Sequence, residues 1–465
     1  MRVYIYNLWL RCRQSFFFIP TIMTVTAAAL AIAMLYVDER IGTDWVQDFR
    51  WIYLTDPSGA RVLLSTVAGS MITVAGVVFS ITIVVLTLAS NQYGPRLLRN
   101  FIQDRGNQVV LGTFVATYIY CLLVLRRILG SEDNAFVPHL AIAVGMILAI
   151  LGIMVLIYYI HHVAVAMQAD SVVAAVSREL RRSIERQFPK PVGQQVGGES
   201  PLFQDSTMPP AHFLSDSAPV PGRSSGYIQA VDHEYLVTAA RDYDGVIYLN
   251  YRPGQYVISQ TPLAQVWPGD QFDEKWVEQI NSAFIIGPDP SPDQDVEFAI
   301  RQLVEVAVRS LSPGINDPFT AIRCIDSLAD ALGSLATREL PKGFLHDSDG
   351  MLRLIAQPVD FSAILDAAFN QIRQYGADSV AVTIRLLEAA TLVARLTQRD
   401  DDRVALIRHV RMIADGAIRC VPQPGDRKDV LVRYRAAAKV LGFHPEDFSD
   451  KVAGGANGSW DPPDH

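Results

Sequence analysis

The first 165 residues contain four long apolar runs with no internal Asp, Glu, Lys or Arg. A helix needs about 20 mostly apolar residues to cross the hydrocarbon core of a bilayer. The sequence therefore predicts four membrane spans, at about 16–37, 62–90, 109–125 and 138–160. The other 300 residues mix apolar and polar positions as soluble proteins do, so the chain has two parts of different character.

The spacing of apolar residues predicts the organisation of the second part. A spacing of three to four residues predicts a helical stalk at 166–188, and a Pro-, Gly- and Ser-rich stretch predicts a linker at 189–225. Alternating positions predict a small β-containing unit at 226–268. Amphipathic patterns predict a helical domain at 269–448, and we expect a disordered tail at 449–465.

Together these elements predict a four-helix transmembrane domain at 1–165, followed by an α+β region. Eleven Arg and Lys residues flank the spans on the side of the N-terminus, and five flank them on the other side. Because positively charged loops stay on the cytoplasmic side, we expect both termini, and the whole α+β region, to be cytoplasmic.

Composition narrows the functional classes. With 19% charged residues and a mean hydropathy of +0.19, the chain is too apolar to be disordered. Its net charge of −8 argues against a nucleic-acid partner. Four cysteines form no CxxC pair, and no GxSxG, Walker or HExxH motif occurs. We therefore expect no cofactor and no metal, and an enzyme acting on lipid-derived substrates is only a third hypothesis.

The second span carries a stripe of small and hydroxyl-bearing residues. Its members are Thr66, Gly69, Thr73, Gly76, Ser80 and Thr87. Because seven residues are nearly two helical turns, these residues share one side of the helix. The stripe is either a surface for tight helix packing or the lining of a water-filled path. The absence of charge within the spans favours a passive channel or a purely structural bundle over an ion-coupled transporter.

The end of the second span is a second candidate. Gly94 suits a helix C-cap and Pro95 stops the helix, which indicates an ordinary helix end at the membrane interface. The alternative is a gate. The candidate interface or gate residues are Asn91, Gln92, Tyr93 and Arg96.

The motif SPGINDP is the sharpest in the second part of the chain. Gly314 is suited to a positive φ, Asn316 or Asp317 can cap the next helix, and Pro318 suits its first turn. These features describe a turn between two helices. The alternative is a site for a small ligand or a partner, formed by Ser312, Gly314, Asn316 and Asp317.

Three segments resemble one bacterial family. They are FSITIVVLTLASNQYGPRLLRNFIQDRGNQVVLGTFVATYIYCLLVLR, RPGQYVISQTPLAQV and SLSPGINDPFTA. They resemble the family of predicted membrane proteins called domain of unknown function 2254, and the resemblance covers most of the chain. It implies a multi-pass protein of the bacterial inner membrane with a large cytoplasmic C-terminal region. The family has no established activity, so the resemblance implies no functional residues.

The leading hypothesis is a homo-oligomeric passive channel for ions or small solutes. Its second span would line the path within the lipid bilayer, and the cytoplasmic region would assemble and gate it. The alternative is a membrane-anchored signalling or scaffold protein whose cytoplasmic domain binds a ligand or partner.

Overall fold

The computed structural model describes residues 17–41, 57–97, 104–129, 137–188, 213, 215–271, 273–341 and 343–445. The chain divides into two compact units between Ser171 and Val172. Most of the predicted linker and all of the predicted tail lie outside the described residues.

Four long helices make up the described part of the first unit. They are α1 (Phe18–Ile41), α2 (Pro57–Tyr93), α3 (Arg105–Leu129) and α4 (His139–Ala166). Each is long and apolar enough to cross a membrane, as the sequence predicts. With 37 residues, α2 is about 55 Å long. It therefore exceeds the hydrocarbon core, which is about 30 Å thick.

Helix α3 lies at the centre of the first unit. It packs against α1, α2 and α4, and it is the most buried of the four helices. Helix α2 contributes a single face, whose buried residues recur every three or four positions. They are Ala60, Leu64, Ala68, Met71, Ala75, Val78, Thr82, Val85, Ala89 and Tyr93. That spacing keeps them on one side of the helix.

A carboxylate from α1 caps the start of α4. Asp38, only 6% exposed, accepts hydrogen bonds from the backbone N–H groups of Leu140 at 3.0 Å and Ala141 at 2.8 Å. The N-cap residue of α4, Pro138, supplies no side-chain cap. Because the first N–H groups of a helix have no partner within it, Asp38 fills this need from another helix. The structure places Asp38 inside α1, one residue beyond the predicted span.

The second unit is formed by short strands and helices. The strands are β1 (Ala218–Pro221), β2 (Gly226–Val231), β3 (Val246–Leu249), β4 (Tyr256–Val257), β5 (Pro262–Trp267), β6 (Phe284–Gly287), β7 (Phe344–His346) and β8 (Leu352–Ile355). The helices are α5 (Ala169–Gln187), α6 (His233–Asp242), α7 (Glu274–Ser282), α8 (Val296–Ser310), α9 (Pro318–Ala336), α10 (Phe361–Tyr375), α11 (Val380–Leu396), α12 (Asp400–Cys420) and α13 (Pro424–Leu441).

The strands form two sheets that share one core with α6 and α7. The five-stranded sheet has the order β1-β5-β3-β8-β7, in which only β3 and β8 are parallel, and the three-stranded sheet has the order β4-β2-β6. Four strands (β1, β6, β7 and β8) lie outside the predicted β-containing unit, 226–268. They have only three or four residues each, which is too short for alternation to stand out.

The last six helices form two layers. Helices α8, α10 and α12 pack side by side in one layer, and α9, α11 and α13 pack side by side in the other. Short turns connect one layer to the other, as in arrays of helical hairpins, except between α9 and α10, where the longer connection includes β7 and β8. The turns between α8 and α9 and between α10 and α11 therefore lie at the same end of the array.

We expect Asp38→Ala to destabilise the first unit, because two N–H groups of α4 would lose their acceptor. Loss of a helix cap costs about 0.5–2 kcal/mol. The measurement is thermal unfolding of the full chain in detergent. Glu39→Gln is the matched control, since Glu39 forms a solvent-exposed ion pair with Arg127, and such pairs contribute about 0–1 kcal/mol. Equal melting temperatures for Asp38→Ala and Glu39→Gln would contradict the capping role.

Candidate functional site

The predicted stripe on α2 lies open on the surface of the first unit. Thr66, Gly69, Thr73, Gly76, Ser80 and Thr87 are all exposed. A β-carbon added at Gly69 or Gly76 would meet no atom within 4 Å among the residues that the structure describes. The stripe is centred about 180° around the helix from the buried face, at 3.6 residues per turn. It therefore does not pack against the other described helices of its own chain.

The threonine hydroxyls of the stripe bond within their own helix. Those of Thr66, Thr73 and Thr87 donate to the carbonyl oxygen four residues earlier, at distances of 2.7, 2.8 and 2.9 Å. Each hydroxyl oxygen still has acceptor capacity directed away from the bundle. The stripe is thus mildly polar and uncharged. Such a surface is compatible with lipid, with a second helix or with water.

The glycines and hydroxyls of the stripe are not at the same angle. Gly69 and Gly76 each follow a threonine by three residues, which places them about 60° to one side of the line of hydroxyls. The open face therefore has a flank without side chains, where another backbone could approach closely. Beside that flank runs the line of hydroxyls. This division bears directly on the choice between packing surface and path lining.

The end of α2 is fastened to α4. The buried Tyr93 donates a hydrogen bond from its hydroxyl to the carbonyl oxygen of Met167, at 2.8 Å. Gly94 follows with a φ of 104°, so the predicted helix stop is confirmed. Asn91 and Gln92 are exposed, and the side chain of Arg96 lies outside the described residues. Tyr93 thus has a structural role. If this segment acted as a gate, its movement would have to break the Tyr93 hydrogen bond or move α4 with it.

A second contact fastens the start of α3 to α4 near the same end. His162 Nε2 lies 2.5 Å from Asp104 Oδ2, and Asp104 also accepts a hydrogen bond from the N–H of Gly106 at 2.9 Å. A β-carbon at Gly106 would lie 2.7 Å from His162 Nε2, so only glycine fits there without displacing the histidine. The sequence pattern did not indicate this pair, because its members are 58 residues apart.

The SPGINDP motif forms the turn between α8 and α9. Asp317 Oδ1 accepts hydrogen bonds from the N–H groups of Phe319 at 3.1 Å and Thr320 at 3.2 Å, so Asp317 caps α9. Ser312 Oγ donates to the carbonyl oxygen of Arg309. The residue with a positive φ is Asn316, at 48°, rather than Gly314. The expectation of a positive φ at Gly314 is therefore wrong. The left-handed conformation at position 316 is reasonable because asparagine tolerates it.

The four candidate ligand residues of this turn serve the turn itself. Ser312 and Asp317 use their side chains in hydrogen bonds to nearby backbone, while Gly314 and Asn316 are exposed. None of the four lines the cavity of about 260 Å³ that lies at the ends of β3 and β8 in the second unit. The unexpected feature is apolar. Ile315 and Phe319, on either side of the cap, project into solvent.

The second unit contains a cavity that the sequence pattern did not reveal. Its volume is about 260 Å³. It lies where the C-terminal ends of the parallel strands β3 and β8 meet the start of α8, and its lining includes Leu249, Tyr251, Arg252, Asp295, Glu297 and Gln357. Crevices at the carboxyl ends of parallel strands are common ligand sites.

A small cluster of acidic residues and arginines lies at one wall of this cavity. Glu297 forms ion pairs with Arg252 and Arg301. Asp295 caps α8 through Oδ1, which accepts a hydrogen bond from the N–H of Glu297 at 2.9 Å, while Oδ2 accepts none. Burial, opposed by the charge of Arg301 and reinforced by that of Glu297, raises the pKa of Asp295 to about 6.

The local sequence gives only part of this cluster. Asp295 precedes an amphipathic helix and is recognisable as a cap. Arg252 belongs to a separate segment 45 residues earlier, so nothing local indicates that it pairs with Glu297. Among the described residues, no group of three or more His, Cys, Asp or Glu could hold a metal ion.

Comparisons with known proteins agree with the architecture. An uncharacterized protein of Mycobacterium bovis and one of Mycobacterium tuberculosis are each 31% identical to this chain over 394 residues. Those residues are 83% of this chain and 73% of each relative. No solved structure matches the chain. The model of the family described as predicted membrane protein (DUF2254) matches residues 13–391, and the chain therefore belongs to that family of membrane proteins.

Proposed function

We propose that the chain forms a homo-oligomeric passive channel for ions or small solutes in the inner membrane of a bacterium. In this proposal both termini are cytoplasmic, as the distribution of basic residues predicts. The second unit then lies in the cytoplasm, where it assembles and gates the path. The observation that carries the proposal is the open, uncharged stripe on α2.

The two parts of the stripe have separate roles in this proposal. In a ring of α2 helices, the flank formed by Gly69 and Gly76 packs against the neighbouring copy, because glycine allows two backbones to approach closely. The line of hydroxyls, rotated by about 60°, then faces the axis. Thr66, Thr73, Ser80 and Thr87 supply oxygen acceptors along the path without a fixed charge.

We expect Thr73→Val to reduce solute flux through the channel without changing the oligomer. Valine keeps the shape of threonine but lacks its oxygen. A hydrogen bond from that oxygen to the solute contributes about 1 kcal/mol, so its loss corresponds to a roughly fivefold lower rate of solute passage. The measurement is efflux of potassium and of small fluorescent solutes from proteoliposomes. Ile81→Val is the matched control, because exposed Ile81 lies about 100° from the hydroxyl line on the same helix.

Gly76→Leu should act differently, by preventing the close approach of neighbouring copies. We expect it to shift the protein toward monomers in native mass spectrometry, with loss of flux as a consequence. A wild-type protein that is oligomeric in nanodiscs but gives no flux under any applied voltage would refute the channel. A wild-type monomer would refute the assembly as well.

A second candidate function is binding of a small ligand by the second unit. The observation that favours it is the cavity at the ends of β3 and β8, which has apolar walls and the Arg252–Glu297 pair at one side. Such a ligand would serve a membrane-anchored signalling protein, or it would regulate the channel. Screening by thermal shift of the full chain, with Leu249→Trp to fill the cavity, tests this candidate. A ligand that raises the melting temperature of the wild type and of Leu249→Trp equally does not bind in this cavity.

The buried carboxyl group of Asp295 gives this region a pH dependence. Since its pKa is raised to about 6, the folded state holds the proton more tightly than the unfolded state. The protonated carboxyl group therefore contributes up to roughly 3 kcal/mol to the free energy of unfolding. This contribution is complete below about pH 4 and is lost as the pH rises through about 6. Asp295→Asn should remove this contribution.

The measurement is urea unfolding of the second unit within the full chain at several pH values, with tryptophan fluorescence as the signal. Buried Trp276 is a reporter in this unit. Burial lowers the pKa of His409, which gives a pH dependence of opposite sign that both proteins share. The difference between wild type and Asp295→Asn isolates the carboxyl group. Parallel pH profiles would show that Asp295 keeps an ordinary pKa.

A further inference from the structure

The cavity at the ends of β3 and β8 has a mostly apolar lining of limited size. Its apolar side chains include those of Phe188, Leu249, Val296, Leu345 and Val359. Its volume is about 260 Å³, whereas an engineered apolar cavity of about 150 Å³ is large enough for benzene. By that comparison the cavity has room for a molecule of about ten non-hydrogen atoms.

The charged groups at one wall of the cavity balance one another. Glu297 forms ion pairs with Arg252 and Arg301, and Asp295 Oδ2 lies 3.9 Å from Arg301 Nη1. Because the pKa of Asp295 is about 6, this carboxyl group is ionised at neutral pH. The described residues of the wall then carry two positive and two negative charges. A charged ligand would add an uncompensated charge, and burial of such a charge is costly.

Neutral polar groups of the lining are available for hydrogen bonds. Within the described part of the chain, the imidazole of His233 and the hydroxyl of Tyr251 form none. Gln357 donates from Nε2 to the carbonyl oxygen of Asn250, and its Oε1 keeps acceptor capacity. Burial lowers the pKa of His233, and the charge of Asp232 opposes this only in part. The imidazole is therefore neutral at pH 7 and presents one donor and one acceptor.

We propose that the cavity binds an uncharged small molecule with an apolar body and an adjacent hydrogen-bond donor and acceptor, as in an amide. The apolar lining covers the body, and His233, Tyr251 and Gln357 supply partners for the polar end. The inference rests on the second candidate function, ligand binding by the second unit, and it is independent of channel activity.

The lining disfavours the other chemical classes of ligand. An anion would meet the carboxylates of Asp295 and Glu297, and a cation would meet the guanidinium groups of Arg252 and Arg301. A purely apolar molecule would remove water from His233 and Tyr251 without giving them new partners, which is unfavourable. An uncharged molecule with a polar end avoids both costs.

The test compares three probes of nearly the same shape and different charge. They are para-fluorobenzamide, which is uncharged, para-fluorobenzoate, which is an anion, and para-fluorobenzylamine, which is a cation at neutral pH. Binding of each probe to the full chain in nanodiscs is measured by fluorine NMR relaxation. We expect the amide to bind at least about tenfold more tightly than either charged probe.

Two variants locate this binding in the cavity. Val359→Trp should abolish binding of the amide, because Val359 is a half-buried residue of the lining and tryptophan would fill the space. Val404→Trp is the matched control, since Val404 is 65% exposed on α12 and is not part of the lining. His233→Phe keeps a ring in the wall but removes its nitrogens. It should weaken binding of the amide about fivefold without weakening binding of para-fluorotoluene, which has no polar group.

The outcomes separate this inference from ligand binding in general. Tighter binding of a charged probe, abolished by Val359→Trp but not by Val404→Trp, would overturn the inference and leave the cavity as a ligand site. Equal effects of the two tryptophan variants on the amide would place its binding elsewhere and overturn the inference. So would an amide affinity that His233→Phe leaves unchanged, and this result decides even where Val359→Trp does not fold. If none of the three probes binds, the inference fails, whereas the wider thermal-shift screen decides the candidate function.

Discussion

The arrangement of the first unit depends on the packing of three helices around α3. Because α1, α2 and α4 each contact this central helix, α2 needs only one face to join the bundle. Five of its ten buried residues are Ala or Thr, and such small residues allow close approach in a bilayer, where no hydrophobic effect drives apolar helices together. The opposite face of α2 then packs against none of the other described helices of its own chain, which makes the stripe of small residues informative.

Polar contacts near the helix ends complete this arrangement. Asp38 caps α4 from α1, and Arg61 donates a hydrogen bond to the carbonyl oxygen of Ile128 at the end of α3. Tyr93 and His162 fasten the opposite end of α4 to α2 and α3. Unsatisfied backbone groups are costly in a low-dielectric environment. These side chains therefore both satisfy helix ends and determine which helices are neighbours.

The sequence predicted periodic features well and long-range pairings poorly. Four apolar runs identify α1 to α4, and the Asp-Pro dipeptide at 317–318 identifies the start of α9, because both signals are local. The full five-stranded sheet escaped prediction because β7 and β8 are short, and β8 pairs with β3, about 100 residues earlier. For the same reason the cavity was missed: Arg252 and Glu297 are brought together only by the tertiary fold. The open side of α2 was predicted as a stripe, but which side is buried depends on α3.

The hydrogen bonding of the stripe constrains how an assembly of α2 helices would form. Because Thr66, Thr73 and Thr87 already donate to their own helix, these three hydroxyls offer no free donor to a neighbouring copy. Their acceptors gain little from a neighbouring helix, which leaves packing at Gly69 and Gly76 as the main source of association energy. Association of this kind is weak and sensitive to geometry. An oligomer built on α2 would therefore depend on contacts beyond this face.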